Sequence, residues 1–306
     1  MDKVYNIMSA LRGRMSKIIL KARAKVNLSL DVTGIREDGY HEMRMINHSI
    51  ELADVLTFYP REQGIVLTSN EHTIPLDERN LVIKVALKLQ NQFTIKLGAK
   101  IHLEKRIPAQ AGLAGGSSDA AAALKGLNTL WQLGLSQSEL LKIAVTIGAD
   151  VPYCLVGGTA LVEGIGEKIT PIGDLRKMTI LVVKPDIDIA TPWAFKKLDN
   201  SIIKKHPDIS ALMALLKQDA YHELKEVVGN VFEAVAFADY PEIAAIKKEM
   251  LAKGALASIM TGSGSTVIGY YADRELAVKM WQQFKEIYPL CFLSKTEESG
   301  GENYVE

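Results

Sequence analysis

Val26, Leu28, Leu30 and Val32 alternate with Lys25, Asn27, Ser29 and Asp31 through residues 23–34. A period of two places the apolar set on one face of a strand and the polar set on the other. The run 17–20 just upstream is also strand-like. Shorter runs at 54–59, 65–69, 100–104, 159–163 and 178–184 predict further strands. Helical spacing covers 80–91, 118–132 and 136–147, the last opened by the capping box Ser136-Gln-Ser-Glu139. Beyond Pro185 the pattern is more helical, at 210–217, 222–237, 241–253 and 273–288, with strands at 267–271 and 290–293. Gly254 suits the position just past the helix ending at Lys253. The mixture predicts an α+β chain with split βαβ character.

At 306 residues the chain suits two domains. The composition shifts near 176–190, so the expected division is an extension over 1–14, an N-terminal domain over 15–177 and a C-terminal one over 178–306. The tail from Glu297 carries acid and paired glycines and is expected to fray. Lys+Arg and Asp+Glu both total 36, which leaves no general electrostatic footprint for nucleic acid or membrane. No apolar run approaches the roughly 18 residues of a membrane span, and the basic start lacks a signal-peptide core. The two cysteines, Cys154 and Cys291, sit in apolar strand-like runs. They read as buried thiols of a reducing, cytoplasmic setting, without ligand partners for zinc.

The chemistry concentrates in Pro108-Ala-Gln-Ala-Gly-Leu-Ala-Gly-Gly-Ser-Ser118. Gly112, Gly115 and Gly116 let several backbone N–H groups converge on one point, and the helix that follows adds its positive dipole end. A phosphate chain is the natural guest; a flexible loop with a serine N-cap is the plainer alternative. Two familiar templates fail. Gly116 rather than Lys precedes Ser117, so this is no P-loop, and the glycine spacing is not that of a dinucleotide fingerprint.

Three further segments carry candidate chemistry. Asp150, between Ala149 and Val151, is a carboxylate in an apolar setting, so it either does chemistry or caps its own turn. Lys25 is either a solvated strand lysine or the partner that keeps Asp150 ionised. Thr261-Gly-Ser-Gly-Ser265 is a second glycine turn, weak alone. Asp119 suits the helix dipole rather than a metal.

The loop 108–118 resembles the phosphate loop of the GHMP kinase superfamily. Ala24-Lys-Val-Asn27, Asp38-Gly-Tyr-His41, Leu127-Asn-Thr-Leu-Trp131, Gly148-Ala-Asp-Val-Pro152, Glu163-Gly-Ile-Gly-Glu167 and Thr261-Gly-Ser-Gly264 occur with it in the same order. Together they are similar to the branch that phosphorylates the erythritol 2-hydroxyl of a cytidine diphosphate sugar alcohol for isoprenoid precursors. The resemblance implies a two-domain fold, with an N-terminal ATP-binding and a C-terminal substrate domain. It implies Asp150 as the base and Lys25 beside it as catalytic residues, and no protein-held metal.

By the same resemblance ATP, with Mg²⁺ carried on it, lies over Pro108, Ala109, Gln110, Ala111, Gly112, Leu113, Ala114, Gly115, Gly116, Ser117 and Ser118. Asn80 lies near the adenine, though it could equally be an N-cap. Tyr40, His41 and Phe195 hold the cytosine, stacking being worth roughly 1–3 kcal/mol per base. Asn27 lies near the erythritol, and Thr191, Gly262, Ser263 and Gly264 complete the acceptor site. Tyr40 as a turn aromatic and Phe195 as a core anchor are the structural alternatives. Ser265 stands where many members have Pro. The expected partner is a small molecule, the expected state a monomer or weak homodimer. A homoserine- or mevalonate-type kinase and a non-catalytic nucleotide sensor are the rival functions.

Overall fold

The computed structural model describes residues 17–109, 111–203 and 205–297. The expected extension over 1–14, the tail beyond Glu297 and Gln110 of the phosphate loop lie outside them. In chain order the first strands are β1 (Ile18–Ile35), β2 (His41–Arg61), β3 (Ile65–Ser69), β4 (Gly98–Glu104), β5 (Thr159–Gly164), β6 (Lys168–Pro171), β7 (Thr179–Lys184) and β8 (Gly229–Asn230). They are followed by β9 (Ala257–Met260), β10 (Val267–Tyr271) and β11 (Leu290–Lys295). One sheet runs β3-β4-β2-β1-β8, with β5 paired to β2 and β6 to β5. The other runs β11-β7-β10-β9, antiparallel throughout.

Helices α1 (Leu81–Phe93) and α2 (Gly115–Leu130) bury their apolar faces on the first sheet, Val85, Leu89, Leu124 and Leu127 meeting Leu56, Phe58 and Leu103. The α1 helix is the crossover between the parallel neighbours β3 and β4. Next come α3 (Gln137–Val145), which carries the expected capping box, and α4 (Val151–Val156). The second sheet is covered by α5 (Thr191–Asp199), α6 (Ile209–Lys217), α7 (Leu224–Val227), α8 (Glu233–Asp239), α9 (Pro241–Ala252) and α10 (Arg274–Phe284). Val26, Leu28, Ile46 and Ile50 of the first sheet share one apolar cluster with Ile180, Val182, Ile259 and Ile268 of the second. Each such side chain is worth about 1.5–3 kcal/mol when buried, so the two sheets are joined by a continuous core. Among the described residues, no helix is long and apolar enough to cross a membrane.

Four sequence expectations change. The run 23–34 joins the run 17–20 into one long strand, β1, and its polar face is not solvated: Lys25, Asn27, Ser29 and Asp31 are at most 7% exposed. Only 54–59 of β2 was legible as strand, because Asn47, His48 and Ser49 interrupt its apolar alternation yet are buried. The expected helix 222–237 breaks into a 3₁₀ turn, α7, β8 and α8. Gly229 packs against Pro207, and Asn230 spends its amide on the loop 260–262. Cys154 lies in α4, with Pro152 in the first helical turn, not in a strand. Both thiols are half-buried rather than fully enclosed.

Candidate active site

The phosphate loop ends at the N-terminus of α2. Ala114 holds the N-cap position in the left-handed region at φ +55°, and Gly112 lies there too at +68°. The Lys25 N–H donates to Leu113 O at 3.1 Å, which ties this loop to β1. A cavity of about 400 Å³ opens over it, lined by Pro108, Ala109, Ala111 through Ser117, Asn80, Lys105 and Asp119. Asn80 is the N-cap of α1, its Oδ1 accepting from Val82 N at 2.9 Å, and it also lines this cavity. Ser117 faces the cavity, whereas the Ser118 hydroxyl turns back to donate to Arg23 O at 2.5 Å, with Cys154 Sγ 3.3 Å from it.

Beneath the cavity lies a buried triad that sequence reasoning missed. Lys105 Nζ bonds both Asp54 Oδ2 and, at 2.8 Å, Asp119 Oδ2. Asp54 Oδ1 accepts from the backbone N–H groups of Arg106 and Ile107 at 2.5 and 2.7 Å, just before Pro108. Asp119 Oδ1 has no hydrogen-bond partner among the described residues. Burial, then the neighbouring Asp54 carboxylate, push the Asp119 carboxyl up to about 8 against the pull of Lys105. Burial opposes the charge on Lys105, and the two carboxylates outweigh it, so its ammonium titrates above its ordinary value. The lone Asp54 within an apolar strand was the available signal.

Asp150 occupies the N-cap position of α4 without capping it, so its carboxylate is free to turn outward. Its Oδ1 lies 3.7 Å from Lys25 Nζ. The lysine side chain is 5% exposed and the carboxylate 37%, so the cation is enclosed while the carboxylate can be reached. Lys25 Nζ also donates to Asn27 Oδ1 at 3.3 Å. The same oxygen accepts from Gly262 N at 2.9 Å and from the Thr261 hydroxyl at 3.0 Å. Asn27 Nδ2 donates to Asn47 Oδ1 at 2.6 Å. Asn27 is thus fully enclosed and tied to the second glycine loop.

That loop is held from its other side by Asn230, a second residue missed in the sequence. Its Nδ2 donates to Met260 O at 2.7 Å and to Gly262 O at 2.8 Å, while Oδ1 accepts from Phe232 N. The two glycine loops touch: a Cβ on Gly112 would stand 3.2 Å from Thr261 O. Ser263 Oγ lies 3.1 Å from Thr191 Oγ1, and the Ser265 hydroxyl donates to Ile187 O.

At the far end of β1, Tyr40 is exposed on the β1–β2 turn. His41 lies against Phe195, ring centroids 4.3 Å apart and tilted by 32°, and Phe195 meets Phe232 edge-on. His41 Nε2 is 2.8 Å from Asp199 Oδ1, a partner that the sequence did not single out. β1 links these groups: Lys25 and Asn27 on it meet Asp150 and the two glycine loops, and its far end at Ile35 pairs with His41.

Known proteins are similar to this chain in sequence and fold. The family of GHMP kinases N terminal domains matches residues 80–158, and that of GHMP kinases C terminal domains matches residues 202–290. The 4-diphosphocytidyl-2-C-methyl-D-erythritol kinase of Clostridium tetani is 44% identical over 90% of this chain and 99% of its own length. The one from Alkaliphilus oremlandii is 45% identical over 94% and 99%. A crystal structure of 4-(cytidine 5'-diphospho)-2C-methyl-D-erythritol kinase superposes with a TM-score of 0.77 at 30% identity, covering 93% of this chain and all of that one. Homoserine kinase from Cytophaga hutchinsonii, at 20% identity and a TM-score of 0.73, shares the fold. With the likeness to the methylerythritol enzymes running nearly end to end, the chain belongs to the GHMP kinases and, within them, to the 4-diphosphocytidyl-2-C-methyl-D-erythritol kinase family.

Proposed function

We propose that this chain transfers the γ-phosphoryl group of ATP to the 2-hydroxyl of 4-diphosphocytidyl-2-C-methyl-D-erythritol, giving the 2-phosphate and ADP for isoprenoid precursor synthesis by the non-mevalonate route. The approach of Lys25 to Asp150 at 3.7 Å, beside two touching glycine loops, carries this reading. ATP occupies the cavity over 108–117, its triphosphate against the backbone N–H groups at the start of α2. Mg²⁺ would travel on the nucleotide and neutralise phosphate charge there, and Ser117, which lines the cavity, is the side chain that would meet it. The cytidine end of the acceptor binds at Tyr40, His41 and Phe195, and its diphosphate end extends toward Thr191 and the loop 262–264.

Asp150 then accepts the proton of the 2-hydroxyl as that oxygen bonds to the γ-phosphorus, and the bond to the β,γ-bridging oxygen breaks. ADP leaves with that electron pair. Lys25 orients the carboxylate, and its charge offsets that of the transferring group. Asn27 holds Lys25 and the second loop in register. Replacing Asp150 by Asn tests the assignment: kcat should fall by roughly 10²–10⁴-fold with ATP affinity retained. Normal turnover would remove Asp150 as the base. Comparing ATP turnover with the cytidine acceptor, homoserine and mevalonate separates this reading from that of a sibling kinase.

A further inference from the structure

The Asp150 carboxylate is loosely held. It does not cap α4, and its ion-pair partner among the described residues is Lys25, at 3.7 Å. Its place in the site is therefore set by its backbone, and that backbone rests on the turn between β5 and β6. Gly166 lies buried in this turn at φ +114°. A Cβ built on it would stand 2.4 Å from Ala149 O, the carbonyl bonded to the Asp150 nitrogen. The two sides of this contact differ in stiffness. Glu163 and Gly164 pair with Arg44 and Met43 of β2, and the Gly166 N–H donates to Glu163 O at 3.3 Å. Glu167 folds its carboxylate back beside Gly164, where Oε2 accepts from Ile165 N at 2.7 Å. Residues 146–150, by contrast, join α3 to α4 through local turn bonds such as Gly148 N to Ala144 O and Val151 N to Gly148 O, each 3.2 Å. Ala149 is exposed, so it is the side that can give way.

We infer that the turn 163–167 is a positioning element of the active site: the bare Cα of Gly166 sets how closely Ala149 seats, and so where Asp150 stands relative to Lys25. This rests on the reading of Asp150 as the base. Two demands act on position 166. One is the left-handed φ, which other turns of the chain share. The other is the approach of Ala149. Gly173, just beyond the other end of β6, meets the first demand alone: its φ is +101° and nothing lies within 4 Å of its Cβ position. Ordinary contact begins at 3.4 Å, so a methyl group at 166 would part the two segments by about 1 Å. A misplacement of about 1 Å in reacting groups costs roughly 10²-fold in rate.

Steady-state kinetics of the full-length protein with ATP and the cytidine acceptor tests this, each variant being checked for folding by thermal melting. Gly166→Ala should lower kcat by roughly 10- to 100-fold and leave the KM for ATP near wild type. Gly173→Ala, which carries the same kind of backbone strain, should keep its kcat. Glu167→Ala, which opens the turn, should lower kcat severalfold, and Glu167→Gln, which keeps an acceptor for Ile165 N, should restore it. On an Asp150→Asn background Gly166→Ala should cost little more, because both changes act on one group. Wild-type kcat in folded Gly166→Ala, an equal loss in Gly173→Ala, or losses that multiply fully with Asp150→Asn would overturn the inference and leave Asp150 as the base. Normal turnover by Asp150→Asn alone would instead overturn the reading beneath it. Should Gly166→Ala not fold, the Glu167 pair decides: wild-type kcat in Glu167→Ala would overturn the positioning role.

Discussion

Asn27 grips Gly262: one side-chain oxygen takes the Gly262 N–H at 2.9 Å, the Thr261 hydroxyl at 3.0 Å and the Lys25 ammonium at 3.3 Å. The strand that carries the lysine therefore also sets the position of the second glycine loop. Asn27→Ala would leave a buried N–H, a hydroxyl and an ammonium short of an acceptor. Each orphaned buried group costs about 1–3 kcal/mol, so stability should fall by at least that much. Urea unfolding of the variant is the measurement; a wild-type midpoint would show that the loop does not depend on this anchor.

His48 gives stability a dependence on pH. Its Nε2 accepts from Glu297 N at 3.3 Å, so in the neutral ring Nδ1 carries the proton and donates to Thr159 Oγ1 at 2.8 Å. Burial holds the folded pKa down at about 3, against 6.5 for the free side chain. The unfolded chain therefore binds a proton below pH 6.5 that the folded chain refuses. This contribution to stability is complete above 6.5 and is lost toward pH 3, by about 1.4 kcal/mol per pH unit. His48→Gln should lose that slope, so the stability gap between wild type and variant should narrow as pH falls from 7 to 4. A gap independent of pH would exclude the imidazole as its source.

Much of this was written in the sequence. Two groupings that the motifs suggested are brought together in space: Lys25 lies 3.7 Å from Asp150, and His41 lies against Phe195 with ring centroids 4.3 Å apart. What escaped has a common cause. Asn47, His48 and Ser49 hid the first half of β2, because buried polar residues imitate the pattern of a solvent-facing segment. Asn230 was read into a helix because residues 222–237 have helical spacing. Its amide instead satisfies two carbonyls of a loop distant in sequence, a demand no local pattern encodes. Asp54 and Lys105 likewise reveal themselves only when tertiary contacts bring Asp119 beside them.

That triad makes a paired prediction. Lys105→Met would strand Asp54 and Asp119 side by side without a cation, and breaking a buried pair in this way costs about 3–5 kcal/mol. Asp119→Asn acts in the opposite sense. The folded carboxyl of Asp119 titrates near 8 rather than near 3.8, so the folded chain keeps a proton that the unfolded chain has released. Its burial therefore costs increasing stability as pH climbs from 3.8 toward 8. Relative to wild type, Asp119→Asn should gain stability over that range. Guanidinium unfolding at pH 5 and at pH 8.5 measures this; a variant whose relative stability declines with pH would contradict the triad's charge balance.

The pairing of His41 with Asp199 bears on the choice of base. A carboxylate can only accept, so Asp199 Oδ1, 2.8 Å from His41 Nε2, fixes the neutral ring with its proton on Nε2. Nδ1 is then left as an acceptor, beside the Phe195 face on which His41 leans. An acceptor at that point suits the exocyclic amine of cytosine and opposes the carbonyl that uracil carries in its place. Asp199→Ala would free the ring to adopt either tautomer. The variant should show a KM for the cytidine acceptor raised by roughly tenfold, the loss of about one hydrogen bond. Its discrimination between cytidine and uridine forms of the acceptor should fall with it, while kcat at saturation and the KM for ATP stay near wild type. Preserved discrimination would mean that recognition of the base rests on the backbone or on Tyr40 rather than on a tautomer held by Asp199.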